Sequence, residues 1–135
     1  SVVVATFLFC YGFFLVMPVA GPYYEFPRPQ GAFVDNWAAR LVYQVLSQGS
    51  SYGAAFPSSH VAATAAATIA TWSGSRPLGL VLLLPTLLLT VGVVYCQMHY
   101  AVDALAGLLV PVPIAMLIYR RAGGQAGGRA ATTSA

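Results

Sequence analysis

The chain has 135 residues, of which 59% are hydrophobic and only 7% are charged, and its mean hydropathy is +0.75. Soluble domains carry about a quarter charged residues, so this composition argues against a soluble domain and indicates an integral membrane protein. The net charge of +3 comes from six basic residues, all arginines, against three acidic ones. These arginines are scattered among apolar segments without interleaved aromatics, which argues against nucleic acid as a partner.

Four apolar segments follow one another along the chain and predict an all-α membrane protein. We expect transmembrane helices at about residues 1–17, 58–73, 78–95 and 100–119. Residues 1–121 then form a single transmembrane helical domain, and the Gly- and Ala-rich segment 122–135 is expected to be a disordered tail. The first segment is slightly short for a span of about 20 residues, so we expect this chain to be part of a longer protein.

The segment 18–57, between the first two spans, is rich in proline and glycine and predicts an irregular loop. Within it, Asp35 is a candidate N-cap for a short interfacial helix over residues 36–46. The apolar residues of this helix are expected to point inward: Trp37, Leu41 and Val45. The aromatic residues of the loop are typical of a membrane interface: Tyr23, Tyr24, Phe26, Phe33 and Trp37.

Residues 95–107 hold one of the two histidines and one of the three acidic residues. If the segment after Met98 is helical, His99 and Asp103 are four residues apart and share a face. Asp103 would then accept a hydrogen bond from one imidazole nitrogen and leave the other basic, as in an oriented nucleophile or general base. A satisfied histidine at a helix end is the alternative, but ionisable groups at membrane depth are rare and usually functional.

The second histidine lies at a predicted helix start. Ser58 or Ser59 is a candidate N-cap, so the helix begins close to His60. A helix start offers free backbone N–H groups and a positive dipole end, both of which suit a phosphate. A capped helix with an incidental histidine is the alternative; the two motifs together favour an anion site with a proton donor.

These motifs resemble the second and third signature motifs of the type 2 phosphatidic acid phosphatase superfamily, Pro-Ser-Gly-His and Ser-Arg-x5-His-x3-Asp. Residues 57–60 match the first with Ser59 in place of glycine, and His99 and Asp103 match the second. The resemblance implies a bundle of membrane helices, of which this chain is the C-terminal part of a six-helix protein. It also implies an enzyme that acts on a phospholipid or an isoprenyl phosphate through a phosphohistidine, without a metal or cofactor.

The chain departs from the family pattern at two cationic positions. The Ser-Arg pair falls on Gly92 and Val93, and Gly21 stands at the lysine of the motif Lys-x6-Arg-Pro, which ends here in Arg28-Pro29. A His-His-Asp set without these cations resembles the inositol phosphorylceramide synthase and sphingomyelin synthase branch. That branch transfers phospho-head-groups between lipids, so transfer competes with hydrolysis as the expected reaction.

The resemblance implies a role for each of the three ionisable residues. His99 is the expected nucleophile, Asp103 fixes its tautomer, and His60 protonates the leaving alcohol and then activates the acceptor. Asp103 is expected to hydrogen-bond to the His99 nitrogen that faces away from the site.

Substrate binding is predicted for four further residues. Ser58 and Ser59 are expected to cradle the phosphate. Arg28 or Arg40 is expected to replace the missing cations; solvated loop and helix charges are the alternative for both.

Helix counting brings the two histidines to one side of the membrane, because His60 begins the second span and His99 follows the third. We expect their rings to approach within about 4–8 Å. Arg76 and the Arg120-Arg121 pair fall on the opposite side, which the positive-inside rule assigns to the cytoplasm. The site is then expected to face the periplasm or exoplasm, with the protein in the cell inner membrane and its C-terminus cytoplasmic.

The expected partners are a lipid phosphate substrate and the bilayer, and a homo-oligomer or a larger membrane complex is left open. A catalytically weakened relative, acting as a structural subunit of such a complex, is the alternative to an enzyme. The changed positions Gly21 and Val93 favour that alternative, whereas the intact His-His-Asp set argues against it.

Overall fold

The computed structural model describes residues 1–31, 35–49 and 52–133, and its secondary structure is helical, as the sequence predicts. These ranges contain seven helices in chain order: α1 (Val2–Val16), α2 (Pro22–Glu25), α3 (Trp37–Gly49), α4 (Ser59–Gly74), α5 (Arg76–Tyr95), α6 (Ala101–Leu109) and α7 (Pro111–Thr133). Within the described ranges the extended backbone pairs at one isolated parallel bridge, between Val19 and Ala54. Helix α7 includes residues 122–133, for which the sequence predicts disorder; the division into a domain and a tail stays a prediction.

In the part of the chain that the structure describes, two stretches are long and apolar enough to cross a membrane by length and composition. They are Arg76–Tyr95, with a mean hydropathy of 2.3, and Ala101–Ala122, with 2.2. Helices α1 and α4 have 15 and 16 residues, which at 1.5 Å per residue is about 23 Å, shorter than the hydrocarbon core. The structure is therefore consistent with membrane association, and the prediction of four spans remains unconfirmed.

Helix α4 lies at the centre of the bundle and packs against α1, α5, α6 and α7. Its alanines make this possible, because small side chains let neighbouring backbones approach closely. Near its C-terminal half, buried Ala66 contacts Val2 and Ala115, while Val61 near its start contacts Val93 and Ala104.

Helices α4 and α5 run antiparallel because only Ser75 separates them. A hydrogen bond between the hydroxyls of Thr68 and Thr86, 2.9 Å apart, links their middles. Each hydroxyl oxygen also lies 2.9 Å from a carbonyl oxygen of its own helix, so the two hydroxyl hydrogens have acceptors within the helix pair and neither polar group is left unsatisfied in an apolar environment. The pairing brings the start of α4 and the end of α5 to the same end of the bundle.

Helix α3 differs from its prediction in its cap and in its orientation. Asn36 is the residue that caps it, because its Oδ1 accepts from the Ala39 amide at 2.9 Å, whereas Asp35 accepts from the Arg40 side chain. Of the three apolar residues predicted to point inward, Trp37 is the most exposed, at 80%, and Leu41 and Val45 are 55% and 62% exposed. The residues of α3 that turn toward the protein are Ala39 and Tyr43.

Leu41 and Val45 nevertheless line a cavity of the protein, so the predicted inward orientation is wrong for Trp37 and holds in part for the other two residues. Phe33 of the predicted interfacial aromatics lies outside the described residues.

Candidate active site

The two histidines come together at the end of the bundle where α4 begins and α5 ends. His60 is the second residue of α4, and His99 lies in the turn between α5 and α6. Their ring centroids are 6.1 Å apart, with the ring planes inclined by 60°. This distance confirms the predicted approach of the rings, and it allows one phosphoryl group to contact both.

His99 is oriented by a backbone carbonyl. Its Nδ1 lies 2.8 Å from the carbonyl oxygen of Ala55, and the residue is almost fully buried. Because a carbonyl oxygen can only accept, Nδ1 carries the hydrogen and donates it. Nε2 is then the nitrogen with a free lone pair, which is the form required of a nucleophile.

The segment that carries the Ala55 carbonyl is held by the loop that follows α1. The Val19 amide donates to the Gly53 carbonyl at 3.1 Å, and the Ala55 amide donates to the Val19 carbonyl at 3.0 Å. Gly53 has a φ of +87°, a left-handed conformation that glycine adopts without a Cβ clash. Two distant loops thus meet to supply the acceptor for His99.

Asp103 has a different role from the predicted one. Its Oδ2 accepts from the Tyr100 amide at 2.7 Å, as part of a capping box at the start of α6, and lies 3.9 Å from His99 Nδ1. The predicted hydrogen bond from His99 to Asp103 is therefore wrong, because the Ala55 carbonyl is the closer acceptor for the single Nδ1 hydrogen. Asp103 is buried beside the ring and can still stabilise an imidazolium through its charge.

A close contact between α4 and α6 connects the two motifs. The Ser58 amide donates to the Asp103 carbonyl at 3.1 Å. A Cβ added at Gly107 would lie 2.7 Å from the Ser58 carbonyl oxygen, closer than real Cβ atoms come to such an atom. Glycine at 107 therefore lets α6 approach the start of α4, and it thereby helps to set the position of Asp103 beside His99.

The two serines of the first motif have separate positions. Ser58 is fully buried and is the N-cap of α4, where its Oγ accepts from the Val61 amide at 3.5 Å. Ser59, by contrast, lines a cavity together with His60. The structure does not bring the Ser58 side chain to that cavity, so its predicted contact with phosphate is not supported.

The histidines face a cavity of about 550 Å³. Its lining is mainly aromatic and aliphatic: Tyr11, Phe14, Gly21, Tyr23, Tyr24, Leu41, Val42, Val45, Ala54, Ala55, Ser59, His60, Met98 and His99. Among these described lining residues, none is Arg, Lys, Asp or Glu. The cavity therefore offers an apolar surface to a ligand and concentrates its polar chemistry at the start of α4 and at His99.

The two arginines predicted to bind substrate lie elsewhere. Arg40 Nε is 3.0 Å from Asp35 Oδ1, and Arg28 is 4.0 Å from the same oxygen. The Arg28 guanidinium also lies over the ring of Tyr43, 4.2 Å from its centroid. Neither arginine lines the cavity, and both lie beside the Asp35 carboxylate instead. Their assignment as phosphate ligands is therefore not supported.

The two positions at which the chain departs from the family motifs, Gly21 and Val93, are both tightly packed. A Cβ added at Gly21 would lie 2.6 Å from the carbonyl oxygen of Met98, so this backbone path leaves no room for a lysine. Val93 is buried against Val61 and Ala104, and its carbonyl accepts from the Met98 and His99 amides. Both positions therefore support the turn that carries His99 and supply no cation.

Burial lowers the pKa of His99 below its ordinary value, because the charged imidazolium loses solvation. The hydrogen bond to the Ala55 carbonyl opposes this shift, and the nearby His60 ring adds to it. The net direction keeps His99 neutral at a lower pH than an exposed histidine, which favours its use as a nucleophile.

Sequence reasoning missed Ala55, since the functional group is a main-chain carbonyl and no side-chain pattern signals it. Tyr43 and Gln97 were also missed. Their side chains are hydrogen-bonded to each other across 54 positions of sequence, and a separation of that length leaves no local signal.

A family model described as the PAP2 superfamily matches residues 1–117. A search of curated proteins and a search of solved structures each find no match for the chain. The family match includes both histidine motifs, α1 and the loop that supplies the Ala55 carbonyl. The chain belongs to the PAP2 superfamily, that is, the type 2 phosphatidic acid phosphatase superfamily.

Proposed function

We propose that this protein is a membrane lipid phosphatase or phosphotransferase that uses a phosphohistidine intermediate. Superfamily membership suggests a function of the phosphatase type. The observation that carries the proposal is the pair of imidazole rings 6.1 Å apart at one apolar cavity, with Nδ1 of His99 bonded to a carbonyl. The proposed substrate is a phospholipid or an isoprenyl phosphate, whose apolar part fits such a lining.

In the first step, Nε2 of His99 attacks phosphorus as the bond to the leaving oxygen breaks. His60 donates its proton to that oxygen, so the product alcohol leaves neutral. The His99 ring becomes positively charged while Nδ1 still donates to the Ala55 carbonyl. The Asp103 carboxylate, 3.9 Å from Nδ1, stabilises this charge.

In the second step, neutral His60 accepts a proton from water or from a lipid hydroxyl. The activated oxygen attacks phosphorus, the phosphorus–nitrogen bond breaks, and His99 returns to its neutral form. Water as the acceptor gives hydrolysis and a lipid hydroxyl gives transfer. Both outcomes use the same residues.

The start of α4 supplies the proposed phosphate contacts. The first amides of a helix lack intrahelical partners. Here the Val61 amide is used by the Ser58 cap, and the Ser58 amide bonds to Asp103. The amides of Ser59 and His60 are left to bind the phosphoryl oxygens, assisted by the helix dipole.

The charge of the cavity favours transfer of a diester head group over hydrolysis of a monoester. A phosphate monoester carries up to two negative charges and a diester carries one. Since the described lining contains neither Arg nor Lys, a doubly charged group would be poorly compensated in a partly desolvated site. We therefore favour transfer of a head group from a diester as the reaction of this protein.

The test is product analysis of the purified full-length protein with a panel of lipid phosphomonoesters, phosphodiesters and isoprenyl phosphates. Each substrate is offered with and without a lipid alcohol as acceptor. Head-group transfer from diesters at a higher rate than monoester hydrolysis is expected. Equal inertness of the wild type and His99→Ala on every substrate would instead favour a structural subunit of a membrane complex.

The lowered pKa of His99 predicts an unusual acid limb in the pH profile. His99 must be neutral to attack, so activity is lost as the pH falls through its pKa. Because burial lowers that pKa, the acid limb of kcat/KM is expected below about pH 6.5, the ordinary histidine value. The measurement is kcat/KM from pH 4.5 to 8.5. An acid limb with its midpoint above pH 6.5 contradicts the assignment.

We further propose that the protein spans the membrane with the site on the exoplasmic side. Ser73 at the end of α4 donates to the Tyr119 hydroxyl at 2.9 Å, so Arg120 lies at the end of the bundle where α5 starts with Arg76. The arginine-rich end is the cytoplasmic one by the positive-inside rule. The histidines lie at the other end.

Cysteine labelling in intact cells tests this orientation. In a Cys10→Ala, Cys96→Ser background, cysteine is introduced either at Tyr52 on the site side or at Gly74 on the arginine side, both of which are exposed. A membrane-impermeant maleimide is expected to label position 52 in intact cells and position 74 only after permeabilisation. The reverse pattern contradicts the orientation.

A further inference from the structure

Gln97 has a backbone conformation that its side chain does not favour. Among the residues that the structure describes, it is the one non-glycine residue with a positive φ, at 57°. It follows the C-cap of α5, Cys96, at the position where glycine usually ends a helix because it adopts the left-handed conformation without a Cβ clash. A glutamine kept in such a conformation suggests that its side chain is used.

The Gln97 side chain is bonded to α3. The Tyr43 hydroxyl donates to Gln97 Oε1 at 3.0 Å. Tyr43 is itself fixed, since it is buried and its ring contacts the Arg28 guanidinium, 4.2 Å from the centroid, and the ring of Tyr23, whose centroid is 6.3 Å away. The bond therefore joins two well-held partners from distant parts of the chain.

Both residues that form this hydrogen bond are close to the candidate active site. Gln97 is two residues before His99, and the intervening Met98 lines the cavity. On the other side, α3 contributes Leu41 and Val45 to the cavity wall. A shift of either end would change the cavity and the orientation of His99 together.

We propose that Tyr43 and Gln97 are positioning residues, whose hydrogen bond, called the latch below, holds α3 against the turn that carries His99. The inference rests on the proposed phosphoryl transfer at His99 for its kinetic consequence. The latch couples the cavity wall to the nucleophile, so that the His99 Nε2 is aimed at phosphorus only while α3 lies over the site.

The experiment compares Tyr43→Phe, Gln97→Gly and the double variant with the wild type. Tyr43→Phe removes only the hydroxyl and keeps the ring beneath Arg28, and Gln97→Gly removes the side chain while relieving the left-handed backbone. Each single variant is expected to lower kcat about 10-fold with KM changed less than about twofold, because misplacement of a nucleophile affects turnover more than binding. The double variant is expected to lose no more than either single one.

Stability separates positioning from a merely structural role. Gln97→Gly is expected to unfold at the same temperature as the wild type or at a higher one, although its turnover falls. Tyr52→Phe removes a hydroxyl from an exposed ring and serves as the matched control with wild-type kcat. Wild-type turnover in Tyr43→Phe, or losses that multiply in the double variant, would overturn the proposal.

The latch can also be tested by a measurement that does not need turnover, which matters if the chain transfers no phosphoryl group. Cys96 is half-buried beside Gln97, and in a Cys10→Ala background its alkylation reports how open the turn is. Both single variants are expected to be alkylated several-fold faster than their parent. If the wild type and His99→Ala are both inert while Tyr43→Phe and Gln97→Gly are alkylated faster, the proposed function is refuted and the latch is supported. Unchanged alkylation of Tyr43→Phe and Gln97→Gly refutes the latch.

Discussion

Replacing His99 by alanine is expected to abolish phosphoryl transfer, with kcat falling by at least about 10³-fold. The variant lacks the Nε2 lone pair that the Ala55 carbonyl leaves free by binding Nδ1, so no covalent intermediate can form. Two quantities are measured. One is the radioactive phosphorus that a labelled lipid transfers to the protein, which is denatured without acid, and the other is the amount of product released.

His60→Ala is the matched comparison, because it removes the other ring of the 6.1 Å pair. If His60 protonates the leaving oxygen, a substrate with an acidic leaving group such as p-nitrophenol needs no such proton and recovers much of its rate of intermediate formation. His99→Ala is not rescued in this way. If His99→Ala were labelled at the wild-type level, the nucleophile role would be removed from His99. If the better leaving group rescued His99→Ala, the roles assigned to His99 and His60 would be exchanged.

Gly107→Ala is expected to disrupt the site although it adds one methyl group. The new Cβ would meet the Ser58 carbonyl oxygen at 2.7 Å and the Val61 side chain at 3.1 Å, and backbone atoms can only move by shifting a helix. Overpacking of this kind costs about 1–3 kcal/mol of unfolding free energy. A displaced α6 also moves Asp103 away from His99, and turnover is expected to fall about 10²-fold.

Gly92→Ala is the control for this substitution. Gly92 is also in a helix, α5, but a Cβ added there meets nothing within 4 Å, so alanine should leave turnover unchanged and stabilise the helix slightly. Thermal unfolding in detergent and kcat for both variants check the contrast. Equal behaviour of the two alanine variants would show that the contact between α4 and α6 does not position the site.

The meeting of the two histidines was predictable from the sequence, because it depends on helix order alone. His60 begins one apolar helix and His99 follows the next, and a short connection between them forces an antiparallel pair. The capping of α4 by Ser58 was predictable for the same local reason, since side-chain caps act within three residues.

The non-local contacts could not be predicted in this way. The sequence marks Asp103 as an acceptor four residues from His99, but the nearer acceptor comes from Ala55, 44 residues away. Likewise, the apolar stripe on α3 indicates a buried face without saying whether lipid or protein covers it. Arg28 and Arg40 could be placed in the loop, but whether phosphate or Asp35 is their partner depends on the path of that loop.

The use of a main-chain acceptor for His99 has a consequence for genetics. A carboxylate partner disappears when its codon changes, whereas the Ala55 carbonyl survives every substitution at its own position that the packing tolerates. Tautomer control of the nucleophile therefore does not depend on the chemistry of the side chain at residue 55, although this buried position limits its size. The vulnerability moves to Gly53, whose left-handed φ of +87° sets the path of the segment. A scan of all substitutions would therefore find that His99 chemistry depends on Gly53, a glycine outside the cavity lining.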